Sequence, residues 1–334
     1  MKIGILGINH KSAELSLREK LARACERLFG TGPTYYLHPL FSYVLLSTCN
    51  RTEIYFQSDD PAETHTYILN AIRHEIKEEF EHKIYAYFGS DCFLHLACVT
   101  AGIDSALIGE TEIQGQVKRA YETASQHHHL DAELHFLFQK CLKIGKNIRT
   151  KAQFEHLAPS MEEAVINQIT DMFGAFTNKK ILFVGLSEIN LKILSHLKKR
   201  GLSHITLCNR TPHKTTMHVL PWENLSLWHA YDIIIFGTKC PHYLIRKNQI
   251  PPLHSQKLLI DLSVPRNVEP CLSAHPFIRL INVDQIALDR KSCEKATEVA
   301  KLETQHISQA VEKQMTLFRL RELQKAAHLL SHAS

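Results

Sequence analysis

KKILFVGLSEINLKILSHLKKRGLSHITLCNRT, residues 179–211, contains a short apolar run, a glycine, a helical stretch, a second glycine and another apolar run. The stretch reads as a strand, a tight turn, a helix, a glycine stop and a second strand. Strand, tight turn, helix and strand at this spacing form a βαβ unit. Two more apolar strands follow in YDIIIFGT and KLLIDLSV, so the spacing predicts a mostly parallel sheet covered by helices.

Upstream lies a second α/β unit. KIGILGIN reads as its opening strand, and Leu17, Leu21, Ala24 and Leu28 mark a helix from about Glu14 to Phe29 that GTGP at 30–33 ends. YVLLS (43–47) and EIYFQ (53–57) read as strands flanking the polar turn STCNRT. Residues 62–88 read as helical and highly charged, and a second helix covers 91–101. A long one runs from about 130 to 149 on the stripe Leu130, Leu134, Leu137, Cys141, Ile144 and Ile148. Beyond NVDQIALD the chain reads as helical to its end. The stripe Ile307, Val311, Met315 and Phe318 implies packing on the body or on a partner. Domains are expected at 1–155, 156–285 and 286–334.

Composition narrows the class. The 334 residues carry a net charge of +5, which permits an acidic partner such as RNA without requiring one. Nine scattered cysteines without a CxxC pair argue against a secreted disulfide scaffold, and most are expected to be buried thiols. No run of about 20 apolar residues marks a membrane span. The opening MKIGILGINHKSAE does not read as a signal peptide, so a cytoplasmic location is expected. HHH at 127–129 reads as a solvated helix face, because adjacent side chains diverge around a helix, and no metal site is expected.

Two stretches carry chemistry. Cys49 in STCNRTE has Arg51 two residues away, close enough to lower a thiol pKa or to hold an acidic substrate. Thr48, Asn50 and Thr52 add hydrogen-bonding groups. The residues alone leave open a structural cysteine, with Arg51 paired to Glu53 or to solvent. The second stretch is GLSEIN at 185–190, a turn after a strand in the position of a dinucleotide-binding loop. Gly185 keeps the first glycine, whereas Ser187 and Asn190 replace the later ones. The next strand ends in Asn209, Arg210 and Thr211 rather than an acid, and Arg210 can pair with a 2′-phosphate, favouring NADPH over NADH. Thr238, after the third strand, is either close to the cofactor or a strand cap.

STCNRTEIYF is similar to the signature of the glutamyl-tRNA reductase family. GINHKSAEL, HLACVTAGIDSALIGETEIQGQVK, the NRT at 209–211 and IDLSVPRNVEP extend the resemblance over most of the chain. It implies an N-terminal α/β catalytic domain, a Rossmann-like NADPH-binding domain and a long C-terminal helix with a shortened dimerisation tail. It further implies that Cys49 attacks the aminoacyl ester, that His95 assists proton transfer, and that NADPH reduces the resulting thioester to glutamate-1-semialdehyde for tetrapyrrole synthesis. Thr48, Cys49, Asn50, Arg51, Ser105, Glu110, Thr111, Glu112 and Gln116 are the implied glutamyl contacts, with Arg51 facing the substrate's side-chain carboxylate. Glu112 departs from the family's usual glutamine. Gly185, Leu186, Ser187, Glu188, Ile189 and Asn190, with Asn209, Arg210, Thr211 and Thr238, are the implied cofactor contacts. Implied partners are glutamyl-tRNA, a second copy in a homodimer that the short tail would weaken, and the downstream aminomutase. The runner-up is a shikimate-dehydrogenase-like oxidoreductase acting on a small molecule, and a non-catalytic tRNA-binding protein is a third reading.

Overall fold

The computed structural model describes all residues except 31–40, 111, 153–159, 203, 212–216, 287–289 and 333–334. The chain forms two compact units, Met1–Ala158 together with Arg290–Ser334, and Pro159–Asp289.

The first unit is built on four antiparallel strands, β1 (Ile3–Asn9), β2 (Ser42–Ser47), β3 (Arg51–Gln57) and β4 (Tyr85–Phe88), in the order β2-β3-β1-β4. β1 is buried throughout because both of its faces are covered. Ile3 and Ile5, with Val44, Leu46 and Tyr55, share a core with helices α3 (Gly89–Ala101), α4 (Glu112–His127) and α5 (Ala132–Ala152). Leu6 and Ile8, with Ile54 and Phe56, share another with α1 (Leu15–Phe29) and α2 (Pro61–Glu75). That double burial explains the near-continuous apolar reading of IGILGIN.

Several elements differ from their sequence reading. The helix expected over 62–88 stops at Glu75, and Tyr85–Phe88 instead pairs antiparallel with β1 as an edge strand, where its aromatic residues suit a pleated surface. Asp60 fixes the start of α2, its carboxylate accepting from the amides of Ala62 and Glu63 at 3.0 Å each. α4 is a helix to which the sequence reading assigned no element. Of the described cysteines, Cys25, Cys92, Cys141 and Cys208 are buried, whereas Cys49, Cys98 and Cys240 are half-buried and Cys271 is exposed.

The second unit opens with α6 (Met161–Phe173), capped by a reciprocal Ser160–Glu163 box. Its sheet contains β5 (Ile181–Val184), β6 (Ile205–Cys208), β7 (His218–Val219), β8 (Ile233–Phe236), β9 (Lys257–Asp261) and β10 (Ile278–Asn282), with α7 (Glu188–Lys199) between β5 and β6. The order is β10-β9-β8-β5-β6-β7 and every pair is parallel. Ile181 and Phe183 pack toward α6 and α7, and Leu182 and Val184 toward Trp228 and Leu272, so the expected doubly covered sheet is present.

α8 (Arg290–His332) closes the first unit. Ile307, Val311 and Met315 are buried in the same core as α3 and α5, and Phe318 meets the Phe136 ring at 5.0 Å between centroids. Among the described residues no helix is long and apolar enough to cross a membrane.

Candidate functional site

Cys49 is half-buried at the tip of the tight turn joining β2 to β3. The Thr48 amide donates to the Arg51 carbonyl at 2.9 Å, and the Thr48 hydroxyl accepts from the amides of Asn50 and Arg51 at 3.2 and 3.1 Å. A small hydroxyl residue before the cysteine thus does local structural work. The His10 amide, just past β1, donates to the Asn50 carbonyl at 2.9 Å and ties the turn to the neighbouring strand.

Beneath the turn lies a buried charged cluster. Arg51, Glu53 and Tyr55 alternate along β3 and therefore point to one face. Arg51 Nη1 donates to Glu53 Oε1 at 2.8 Å and to Asp104 Oδ2 at 3.0 Å, while Nη2 donates to the Asp104 carbonyl. Glu53 also accepts from Tyr55 at 2.6 Å and from Tyr85 at 2.7 Å, and His95 Nε2 lies 2.9 Å from Oε1. Gly7 makes room for this assembly, since a Cβ there would sit 2.8 Å from both Glu53 Cγ and the Tyr85 ring.

Burial alone would raise the Glu53 carboxyl, but Arg51 and His95 together hold it well below the usual carboxylate range. Burial likewise opposes the charge on Arg51, and Glu53 with Asp104 more than restores it. The arginine is consequently an anchor inside the sheet. In this structure its fork is turned inward, without exposed surface, to Glu53 and Asp104. The alternative pairing with Glu53 is the one found.

His95 stands on α3 against the rings of Tyr85 and Tyr87, at centroid distances of 5.3 and 5.1 Å. Ser105 is buried beside Asp104. Glu110 reaches the same neighbourhood: burial and the adjacent Glu112 charge push its carboxyl up to about 7, against the pull of Arg51 and Ser105. Glu112 opens α4 and Gln116 follows one turn later, both half-buried. Thr111 lies outside the described residues. Sequence reading missed Tyr55, Tyr85, Asp104 and His10. Tyr55 could have been found from its alternation with Arg51 and Glu53, but nothing local announces Asp104, which joins Arg51 from 53 residues away.

In the second unit, Gly185 ends β5 with φ of +86°, and its amide donates to the Cys208 carbonyl at 2.8 Å. A Cβ there would meet the Gly237 carbonyl oxygen at 2.4 Å, so only glycine fits this turn. Ser187 caps α7, its hydroxyl accepting from the Asn190 amide at 3.3 Å. Leu186 and Ile189 are half-buried and Glu188 is exposed. Asn190, where a glycine normally eases helix–strand contact, is fully buried and donates to the carbonyls of Val184 and Gly185 at 3.2 and 2.8 Å. Space for it comes from the neighbouring strand: a Cβ on Gly237 would lie 2.6 Å from Asn190 side-chain atoms and 2.4 Å from Ser187 Oγ. The small residue has moved from the helix to the facing strand.

A test follows from that exchange. Gly237→Ala is expected to cost about 1–3 kcal/mol through overpacking. In an Asn190→Gly background the cost should fall by roughly 1 kcal/mol or more, a coupling typical of residues in direct contact. Urea unfolding followed by tryptophan emission suits the measurement, because Trp222 and Trp228 both lie in this unit. Equal costs in both backgrounds would refute the exchange.

After β6, Asn209 Nδ2 donates to the Thr211 carbonyl at 2.8 Å, and Arg210 and Thr211 are exposed. Thr238 is a loop cap, donating to Asn267 Oδ1 at 2.6 Å and accepting from the Cys240 amide at 2.9 Å. Asp261 ties down the same region by accepting from the amides of Ser263, Asn267 and Val268. The histidines at 127–129 diverge as expected, but His128 is no solvated residue: it stacks on Tyr43 and bonds its carbonyl at 2.7 Å. Among the described residues, no three metal-ligating side chains converge.

Comparison with known proteins separates the two units. Residues 6–152 match the glutamyl-tRNAGlu reductase N-terminal domain, and 165–288 match shikimate / quinate 5-dehydrogenase. A glutamyl-tRNA reductase of Chlamydia abortus is 35% identical over 272 residues, covering 80% of this chain and 78% of its own. The chain belongs to the glutamyl-tRNA reductase family. A more distant member, from Natranaerobius thermophilus, is 28% identical over 344 residues, covering 97% of this chain and 75% of its own. Among solved structures, a glutamyl-tRNA reductase from Methanopyrus kandleri aligns with 97% of the chain at 24% identity and a TM-score of 0.48. The dehydrogenase-like match is local to the second unit, whereas the cysteine turn lies wholly inside the reductase match.

Proposed function

We propose that this protein reduces glutamyl-tRNA to glutamate-1-semialdehyde, with Cys49 as nucleophile and NADPH as reductant, in tetrapyrrole synthesis. The observation that carries this reading is the STCNRTE turn itself: within a family member, it holds a half-buried thiol on a loop stapled by Thr48, His10 and Arg51. The Cys49 thiolate attacks the ester carbonyl, the C–O bond to the terminal ribose breaks, and the released hydroxyl takes a proton. A glutamyl thioester remains on Cys49. His95, oriented through Nε2 by Glu53, is placed to exchange that proton through its other ring nitrogen. Arg51 acts as a positioning residue beneath the turn. Glu110, Glu112, Ser105 and Gln116 line the approach, and a carboxyl at Glu110 that is partly neutral near pH 7 would moderate repulsion of an acidic substrate.

The second unit supplies the cofactor site in this reading. The Gly185 turn leaves backbone space, α7 presents its N-terminus, and exposed Arg210 suits a 2′-phosphate, so the residues fit NADPH. When bound, NADPH supplies the hydride that converts the thioester to the aldehyde, returning the thiol. Leu317, Leu320 and Leu323 are exposed along α8 and support a homodimer through that helix. Handing the aldehyde to the downstream aminomutase belongs to the same reading. The dehydrogenase-like match favours a second possibility, an NADP oxidoreductase of small molecules, but that activity has no use for the cysteine turn.

Incubation with glutamyl-tRNA and NADPH should yield semialdehyde. Cys49→Ser should lower the rate by roughly 10³-fold or more, as expected when a covalent nucleophile is lost. Deacylation of tRNA without semialdehyde would keep the thiol chemistry and sink the cofactor assignment. Absence of both, with NADPH still bound, would favour the small-molecule reading.

A further inference from the structure

Of the described cysteines outside the β2–β3 turn, Cys98 and Cys240 are half-buried and Cys271 is exposed. Burial pushes the Cys98 thiol up to about 12, which keeps it protonated and inert. Cys240 has an imidazole against its sulfur: Sγ lies 3.4 Å from His242 Nε2. His242 and Lys239 are both exposed on either side of the thiol. A thiol and a base within hydrogen-bond reach form the pairing that activates a sulfur nucleophile, because the ring takes the proton as the sulfur attacks. Reduction of glutamyl-tRNA uses neither residue.

The loop that carries the pair is pinned to its surroundings. The Cys240 amide donates to the Thr238 hydroxyl at 2.9 Å, and Asn267 Nδ2 donates to the Cys240 carbonyl at 3.2 Å. Thr238 in turn lies against the nucleotide turn. Its Cγ2 is 2.6 Å from where a Cβ on Gly185 would stand, and Gly237 beside it faces Ser187 and Asn190. The loop follows β8, whose neighbour in the sheet is β5. Strand order reverses between those two strands, and dinucleotides bind at such a point, in the crevice outside the carboxyl ends of the strands. The Cys240 thiol therefore stands at the rim of that crevice, on a loop that begins at Gly237.

We propose that Cys240 and His242 form a thiol-modification site that captures a low-molecular-weight disulfide, and that the resulting adduct closes the cofactor crevice. The thiol proton passes to the His242 ring, and the Cys240 sulfur forms a new S–S bond to one half of the disulfide. The old S–S bond breaks and releases the other half as a thiolate, which takes up the proton. The Cys240 sulfur is oxidised and the released half is reduced, so the exchange needs no further oxidant, and an added thiol reverses it. The exposed Lys239 charge favours a disulfide that carries carboxylates. Closure of the crevice rests on the NADPH reading of the second unit; capture of the disulfide does not.

The test uses the full-length Cys49→Ser protein, which lacks the catalytic thiol, with glutathione disulfide as the probe and peptide mass mapping as the readout. Near pH 7, Cys240 should be modified at least about tenfold faster than the exposed Cys271, and adding His242→Ala should erase most of that advantage. His242 is exposed, so its truncation is expected to leave the fold intact. At about pH 10, where thiols ionise unaided, Cys240 should react alike with and without His242, an outcome that a merely structural role would not give. On modification, NADPH affinity read by fluorescence titration should fall at least about tenfold, and dithiothreitol should restore it. Cys240→Ser should bind NADPH like the unmodified protein and ignore the disulfide. Modification of Cys240 no faster than of Cys271, or unchanged NADPH affinity in the adduct, overturns the proposal. An unmodified protein that binds no NADPH overturns the cofactor reading and the closure with it, while the mapping still decides the capture.

Discussion

Glu53→Ala is expected to destabilise the first unit by about 3–5 kcal/mol, the usual consequence of stripping one partner from a buried ion pair. Arg51 would lose its closest counter-charge while remaining buried, and the hydroxyls of Tyr55 and Tyr85 would lose their acceptor. The pH dependence gives a second signature. The Glu53 carboxyl is depressed in the folded protein, so its contribution is fully present above the unfolded value near 4.5 and drains away as pH falls below it. Parent stability should therefore drop steeply on the acid side, and the variant should show a shallower slope there. Urea unfolding followed by far-UV ellipticity measures the loss, with tryptophan emission reporting the second unit as an internal reference. Parent-like acid sensitivity in the variant would mean that Glu53 is not the group responsible.

Gly185→Val should separate the two half-reactions. The added Cβ would need to occupy a point 2.4 Å from the Gly237 carbonyl oxygen and 2.6 Å from Thr238 Cγ2, at a φ of +86° that valine avoids. The turn must rearrange, withdrawing the backbone surface on which a pyrophosphate would rest. NADPH affinity is expected to fall by about a hundredfold or more, equivalent to ~2.8 kcal/mol. Cys49 lies in the other unit, so transfer of glutamate from tRNA to the thiol should continue near the parent rate. Fluorescence titration with NADPH and a radiolabelled-thioester assay provide the two readouts. Simultaneous loss of both would show that the nucleotide turn also governs the first step.

The contrast between these sites bears on what a sequence discloses. β5, α7 and β6 are local: each follows from a run of neighbouring residues, so their order could be read directly. β4 was hidden because Lys77, Glu78 and Glu79 continue the charged composition of α2, while pairing of Tyr85–Phe88 with β1 depends on residues about 80 positions earlier. α6 followed an unread cue, the Ser160–Glu163 box. The Cys49 turn was found from its motif, but the orientation of Arg51 depends on Asp104, a choice between partners that no local pattern encodes. Asn190 tells the same story: it looks disruptive until Gly237 is seen across from it.

Because α8 supplies Ile307, Val311 and Met315 to the core shared by α3 and α5, the first unit cannot finish packing during synthesis until the whole second unit has left the ribosome. Residues 159–289 emerge before α8, so the earlier unit waits through their synthesis with part of its core uncovered. The nascent cysteine domain thus spends about ten seconds or more of translation, at typical elongation rates, as a partly open intermediate. Chaperone dependence should accordingly be greatest for ribosome-stalled chains ending between 160 and 300, and should fall once the terminal helix is released.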